Sequence, residues 1–448
     1  MARSANAATV SRSKITEQRL TTGKVILGLG IAVTSAIPLF FVQYDEPEVL
    51  LTVYKFLAKV GSLVGAMFLI WQYFLGFRGT ISALLPDLSW VVELHKKLGQ
   101  YGMLVIPLHP IFIGLYYFRH YELNIYDLDL QTDFSRWVLL GMILLGIIAF
   151  IVITSAFFRQ SMGFYRWFYT HLSTYLVPPL LFAHGLLLGP TIQGTAFGSL
   201  WWSFIILMGA FYLYRIAHKL GVFARRYRVR RTSEAASRTT ELLMEPVKNG
   251  LRPKLGQFVY LRGRLAENSH PYTVSTYDEE SELLGITAKE EGSQTARLQE
   301  TRVGDELILD GPYGAFTRVA LSRDCPIVMI AGGIGITPFR RLWRILEEER
   351  DREAWLFYGN EFYDDIVFRE EIDSLEHVRV VHVLNQEPDF HGDKGFITVD
   401  VLRKHLSRDL SQHQFLICGP PVMIVKLEAE LKNAGVPDEL VRHELFAT

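Results

Sequence analysis

Four histidines stand in the apolar half of the chain as two pairs, His95 with His109 and His171 with His184, separated by 14 and 13 residues. Fourteen helical residues rise about 21 Å, and 14 steps of roughly 100° leave both side chains within about 40° of each other. One helix then offers an imidazole near each face of a bilayer. A second helix doing the same builds two stacked bis-imidazole sites, a chemistry that suits two b-type haems in a helical bundle. The plainer reading is isolated polar residues at helix ends. It fits poorly, because ionisable groups inside a span are costly and usually functional, and these come in two pairs of nearly equal spacing. Thirteen residues would leave His171 and His184 about 140° apart. Pro178–Pro179 lies between them, and a kink or local unwinding there is expected to correct the phase.

The second half carries a different chemistry. His270-Pro271-Tyr272-Thr273 ends a predicted strand. A tyrosine there can pack on an isoalloxazine ring, and the Thr273 hydroxyl can bond its N5 region; a plain strand end is the alternative. Ile286-Thr287-Ala288-Lys289 follows, then Gly292–Thr295, a small hydroxyl-bearing turn suited to a pyrophosphate. Thr287, Lys289, Gly292 and Thr295 are therefore candidate cofactor contacts. Gly311-Pro312-Tyr313-Gly314 closes this region. The run from Ala331 to Pro338 follows an apolar strand and opens a helix, with Gly332, Gly333, Gly335, Thr337 and Pro338 as the candidate diphosphate contacts. Glycines let the backbone approach a diphosphate, and a helix start favours its charge. Cys418-Gly419-Pro420-Pro421 ends the last strand of the same region, where a nicotinamide would lie at the sheet's carboxyl edge.

These residues need elements to hold them. The chain has 448 residues, enough for two or three domains, and a net charge of -1, which gives no bulk basic character for nucleic acid. Cys325 and Cys418 are its only cysteines, too few for an iron–sulfur cluster and without a CxxC for zinc. Val25–Tyr44 is uncharged and long enough to span a bilayer. A signal peptide fits less well, because the run is long and no A-x-A site ends it. Further spans are expected near Phe56–Phe77, Leu98–Phe118, Trp137–Phe158, Trp167–Leu188 and Gly194–Tyr214, making six. Acidic segments Asp45–Glu48 and Glu122–Asp133 fall on one side, and Arg78, Lys96, Lys97, Arg159, Arg166 and Arg215–Arg231 on the other. The positive-inside rule then puts both termini in the cytoplasm, His95 and His171 inside, and His109 and His184 outside. Arg78, Arg159 and Arg166 are candidates to meet haem propionates, with ordinary membrane anchoring as the alternative.

The expected domains are a cytoplasmic tail over 1–23, a transmembrane haem domain over 24–219, a basic connector over 220–238, a flavin-binding barrel over 239–320 and an α/β nucleotide domain over 321–448. The fold class is thus multi-domain: an all-α six-helix bundle, an antiparallel β-barrel and a parallel α/β domain.

The order HPYT, GPYG, AGGIGITP, CGPP resembles the ferredoxin–NADP reductase superfamily. Six preceding spans with the paired histidines make the whole similar to the NADPH oxidase and ferric reductase family over roughly residues 24–448. The resemblance implies that the four histidines ligate two haems and that Tyr272 and Thr273 contact FAD. It places His270 where soluble relatives carry an arginine for the FAD diphosphate. It also implies a C-terminal aromatic over the flavin, for which Phe446 is the candidate, although Ala447–Thr448 follow it. Thr273, Cys418 and Phe446 are then nearest the hydride transfer.

Electron counting orders the cofactors. NADH or NADPH gives a hydride, a bis-histidine haem takes one electron, and a flavin between them does both. The expected path runs from nicotinamide through FAD, the inner haem and the outer haem to an acceptor on the far side, oxygen or a ferric chelate. Two alternatives stay open: a subunit feeding a partner protein or quinone, and a non-enzymatic scaffold. A homo-oligomer in the bilayer is compatible with either. No EF-hand pattern appears, so direct calcium control is not expected. Asn360-Glu361 after the second nucleotide-domain strand supplies no positive charge for a 2′-phosphate, which favours NADH, with Arg340, Arg341 and Arg369 as the residues that would reverse this. One turn beyond His109 stands Ile113, which cannot hydrogen-bond oxygen, and His120 lies two turns further. Lys59 is expected at the wrong end of its span to serve the outer site, with Lys55 nearer the outer face.

Overall fold

The fold was described from a computed structural model covering residues 21–77, 81, 85, 88–264 and 267–444. It divides into a membrane unit and a reductase unit near residue 217.

Among the described residues, the membrane unit has six helices long and apolar enough to cross a bilayer: Thr21–Phe41, Val49–Leu75, Trp90–Tyr121, Asp133–Phe158, Arg166–Leu188 and Phe197–Lys219. Side chains such as Phe150, Ile206 and Leu213 point outward, as expected where hydrocarbon rather than water covers the surface. Inside, Met67, Ile70, Phe182, Phe197 and Trp201 form one core, and Phe211 meets Phe74 and Phe77 edge-on. Thr132 caps the fourth span by accepting from Ser135 N.

Four of these helices are irregular, each beside a histidine. The second and fourth contain π-helical turns, Val60–Val64 and Thr154–Phe158. The third, expected to be one straight helix from His95 to His109, instead breaks at Pro107, between Leu88–Val105 and Leu108–Tyr121; the proline ring has no N–H to continue the ladder.

The fifth span resolves the phase of its two histidines. Phe164–Leu172 passes through a 3-10 turn, Ser173–Leu176, into Val177–Leu188, whose first turn holds Pro178 and Pro179. Four residues at about 120° instead of 100° add about 80° and cut the offset from about 140° to about 60°. The prolines cannot donate backward, and the carbonyl of Tyr175 accepts from the Tyr212 hydroxyl instead, at 2.5 Å.

The reductase unit opens with a closed six-stranded barrel of order β1-β2-β5-β4-β3-β6. Its strands are β1 (Arg225–Ala236), β2 (Thr239–Pro246), β3 (Phe258–Arg262), β4 (His270–Tyr277), β5 (Leu284–Lys289) and β6 (Glu306–Tyr313). The expected connector over 220–238 is therefore corrected: most of it is β1. Only Tyr227 and Val229 mark the strand's buried face, while Arg226, Arg228 and Arg230 alternate outward and pair with Glu306 and Glu245. Two apolar residues among arginines hide the period of two.

A parallel sheet follows in the order β10-β9-β8-β7-β11-β12. Four apolar runs that the sequence offers as buried strands, Ile327–Ile330, Trp355–Tyr358, Arg379–Leu384 and Gln414–Cys418, become β7 (Ile327–Gly332), β8 (Ala354–Asn360), β9 (Arg379–Leu384) and β11 (Gln414–Cys418). Short β10 (Asp393–Lys394) and β12 (Val441–Glu444) are added at the edges. β12 runs parallel to β11 with Glu444 opposite Cys418, which sets Glu444 beside the start of the CGPP turn.

Barrel and sheet are clamped together through the helix after the glycine turn, α1 (Arg340–Glu349). Arg340 donates to Glu241 of β2 at 2.5 Å, to Thr276 of β4 at 3.0 Å and to Glu371 at 2.9 Å, and lies 3.9 Å over the Phe368 ring. Arg341 reaches the carbonyls of Pro253 and Lys254. Burial alone would raise the Glu371 carboxyl, but hydrogen bonds from Arg344 and Arg340 outweigh it and hold the group below its usual value of 4.5. A lowered folded-state pKa contributes stability above the unfolded value and loses it as pH falls. The thermal midpoint of the reductase unit is therefore expected to drop as pH falls through about 4.5, with a flatter profile in Glu371→Gln measured by calorimetry.

Candidate functional site

The membrane unit brings the four histidines together as pairs across the two helices. The His95 and His171 ring centroids are 6.1 Å apart, and those of His109 and His184 are 6.3 Å apart. Two metal–imidazole bonds of about 2 Å, plus about 1 Å from each ligating nitrogen to its ring centre, require roughly 6 Å. Each ring is also tethered at Nδ1. His95 meets Gln72 O at 3.0 Å, His109 meets Ala58 O at 3.2 Å, His184 meets Trp137 O at 3.1 Å and His171 meets Ser155 Oγ at 3.2 Å. The three carbonyls accept from Nδ1–H and leave Nε2 of His95, His109 and His184 open to a metal, while the Ser155 hydroxyl, which accepts from Trp167 Nε1 at 3.1 Å, holds the His171 ring from the same side. The residues present fit two bis-imidazole haem sites.

Sequence reasoning found the rings but not their supports. A Cβ on Gly61 would fall 2.2 Å from His109 N, and one on Gly141 would fall 2.5 Å from His184 Cε1. Both glycines make room for an outer histidine. Gly61 and Ser155 stand in the two π-helical turns, a distortion frequent at functional sites. No sequence period announces either turn.

The candidate propionate partners separate. Arg78 lies outside the described residues. Arg159 stacks 4.5 Å over Trp167, which stacks on His171 at 5.3 Å, so one aromatic ring separates Arg159 from the inner pair. Arg166 is exposed. Lys59 is corrected: it follows Ala58, whose carbonyl holds His109, and so stands level with the outer pair. Lys55 is neutralised by Glu46 at 2.5 Å, whereas among the described residues no carboxylate pairs with Lys59.

In the barrel, Tyr272 and Thr273 are buried on β4, and His270 is half-buried beside Pro271. The Thr273 hydroxyl, the His270 Nε2 and the Thr317 hydroxyl are buried with no partner among the described residues. Buried polar atoms are normally satisfied, so three orphans around HPYT fit a bound flavin nucleotide. Burial pushes the His270 imidazole below its ordinary value. The Thr287 hydroxyl is taken by Ser275 at 3.0 Å, and Lys289 pairs with Asp365 at 3.4 Å. Gly292 is exposed, and the Thr295 hydroxyl accepts from Glu291 N and Gly292 N, holding that turn in shape.

In the sheet, the glycine turn and the CGPP turn interlock. A Cβ on Gly335 would lie 2.3 Å from Cys418 O, one on Gly332 2.8 Å from Pro420, and one on Gly419 2.6 Å from Met423. Gly333 adopts φ +53 facing open space. Its carbonyl accepts from Tyr358 at 3.1 Å. Thr337, buried next to Pro338, donates to Ile334 O. Cys418 is fully buried, and burial raises its thiol well above the ordinary range. Asn360 is buried at the end of β8 and Glu361 is exposed. Phe446 lies outside the described residues.

Residues 62–182 match the family of ferric reductase like transmembrane components, and residues 329–428 match the oxidoreductase NAD-binding domain family. The chain belongs to the ferric reductase and NADPH oxidase-like fusions. The reductase part of the fusion is 33% identical over 199 residues to NADH–cytochrome b5 reductase 1 of Arabidopsis thaliana, covering 42% of this chain and 70% of that protein. It is 31% identical over 186 residues to NADH-cytochrome b5 reductase 1 of Eremothecium gossypii, covering 38% and 64%. The fusion is also similar to the flavohem-like FAD/NAD-binding domain of nitric oxide dioxygenase from Vibrio cholerae, at 20% identity and a TM-score of 0.45, over 50% of this chain and 99% of that one. It is an integral membrane oxidoreductase with an FAD- and NAD(P)H-binding module.

Gly335 supplies a direct test of the interlocked turns. Because its added Cβ would meet backbone rather than a flexible side chain, Gly335→Ala is expected to cut reduction of the bound flavin by NADH roughly tenfold or more. FAD content should stay unchanged, both read by absorbance.

Proposed function

We propose that this fusion passes electrons from NADH through FAD and two b-type haems to a small oxidant on the opposite membrane face. The observation that carries the reading is the pair of tethered bis-imidazole sites. When bound, the flavin turns a two-electron donor into single electrons, which haem iron accepts one at a time. His95 and His171 would hold the inner haem, and His109 and His184 the outer one. The sixth span ends where the reductase unit begins, so the fifth and third spans start on that same side. His95 and His171 lie near those starts, which supports their pair as the first to receive electrons.

The reductase residues divide the remaining work. Thr273 and Tyr272 are proposed to hold the flavin ring, with His270 at the diphosphate and Thr287, Lys289, Gly292 and Thr295 shaping the surrounding strand and turn. Gly332, Gly333, Gly335, Thr337 and Pro338 would admit the nicotinamide nucleotide, with Cys418, Gly419 and Pro420 against its ring. A neutral thiol at Cys418 packs there without acting as a nucleophile. Phe446 remains the candidate for the C-terminal aromatic over the flavin.

NADH is favoured over NADPH. Arg340 and Arg341 are spent on clamping the barrel, and Arg369 stacks on Tyr363 beside Asp364. Glu361 can bond a free ribose hydroxyl and repels a phosphate. The relatives named for NADH agree with this preference.

Lys59 gives the outer site a positive charge, which attracts an anionic ferric chelate and stabilises superoxide alike. Anaerobic NADH is expected to bleach the flavin and then reduce both haems, with NADPH slower. Lys59→Gln should slow reoxidation by ferric citrate several-fold while Lys55→Gln does not; equal rates in all three proteins would remove Lys59 from the acceptor site. Gly141→Val, which would drive into the His184 ring, should halve the haem bound per chain. Gly146→Val on the same helix, where a Cβ meets nothing within 4 Å, should leave both haems in place.

A further inference from the structure

Proton bookkeeping on the proposed electron path leaves one demand unmet. A hydride carries two electrons and one proton. NADH leaves as NAD+, and two ferric haems each take one electron to become ferrous, with no proton. One proton per NADH therefore stays in the flavin pocket until a base removes it.

A cluster of titratable groups stands beside that pocket without any role in binding. Tyr313, in the GPYG segment of β6, lies opposite Phe258 of β3, and Phe258 lies opposite Thr273 of β4. Thr273 and Tyr313 thus flank one strand, about 10 Å apart at two strand spacings. The Tyr313 hydroxyl is 2.9 Å from Asp310 Oδ1 and 3.4 Å from His218 Nε2, and His218 Nε2 is 3.2 Å from Asp310 Oδ2. The side chains of His218 and Asp310 are 14% and 15% exposed, so the cluster runs from the buried tyrosine to the edge of solvent. Around His218 stand Phe223, whose ring lies 6.2 Å away, Lys219 and Arg215 on its own helix, and Arg262, which donates to Lys219 O.

We propose that Tyr313, His218 and Asp310 form the proton exit from the flavin site. Tyr313 accepts a proton on its hydroxyl oxygen while giving its own to the Asp310 carboxylate, the carboxyl passes one to His218 Nε2, and the imidazole releases one to water. A hydroxyl can accept and donate at once, and imidazole is the side chain suited to shuttling near neutral pH. The inference rests on the electron path proposed above. The simpler role for this cluster is to pin the segment around His218 to β6; that role would not respond to proton donors in solution.

The test uses the full chain, loaded with FAD and haem in lipid nanodiscs, as wild type, His218→Gln and Tyr313→Phe. Glutamine can still bond Asp310 but carries no exchangeable charge. In single anaerobic turnovers NADH should bleach the flavin in all three. Haem reduction should slow roughly tenfold or more in the variants, with a larger effect of deuterated solvent, and millimolar imidazole should restore the His218→Gln rate. An infrared difference spectrum of flavin reduction should show an imidazole band that His218→Gln lacks. Haem reduction at the wild-type rate in both variants, or slowing that imidazole does not relieve, would overturn the proton exit. Wild-type protein whose flavin bleaches while its haems stay oxidised would overturn the electron path instead.

Discussion

Everything in the membrane unit depends on holding imidazoles inside a bilayer without charging them. A histidine in hydrocarbon must satisfy its polar atoms within the protein. Here each Nδ1 meets a helix carbonyl or the Ser155 hydroxyl, which leaves the other nitrogen without a claim on the helix backbone. Four such tethers on two helices convert sequence spacing into two facing pairs.

The helices give up regularity to meet this demand. A regular fifth span would point His171 and His184 apart, and the 3-10 turn before Pro178 recovers most of the difference. The π-helical turns supply Gly61 and Ser155 where a histidine on another helix needs room or a hydrogen-bond partner. The reductase unit answers a different constraint. Its glycine turn and CGPP turn approach closely enough that side chains are excluded, and Arg340 fixes the sheet on the barrel beside them. Rigid clamping suits hydride transfer, whose rate depends on the approach of two rings.

Much of this is legible in the amino-acid sequence, because the features that mattered are periodic or local. The six apolar runs, the histidine spacing and the four buried strands are short-range signals. The misses share a physical origin in contacts between distant segments. β1 looks like a connector because arginines cover its outer face and the inner face shows only Tyr227 and Val229. Lys59 looked misplaced until the fit of the second and third spans set Ala58 against His109. In the sequence Arg340 stays open as a residue that could reach a phosphate, and Glu241 and Glu371, from 99 and 31 residues away, claim it instead.

The central claim, two bis-imidazole haems wired to the reductase, is met most directly by low-temperature electron paramagnetic resonance of the oxidised protein. The ring planes within the pairs cross at 69° and 77°. Bis-imidazole haems with crossed rings give strongly anisotropic low-spin signals. Two such signals are predicted, one lost in His109→Ala with the other retained, and both vanishing on anaerobic addition of NADH. A protein without low-spin ferric haem, or one whose haem signals survive loss of all four histidines or persist under excess NADH, would contradict it.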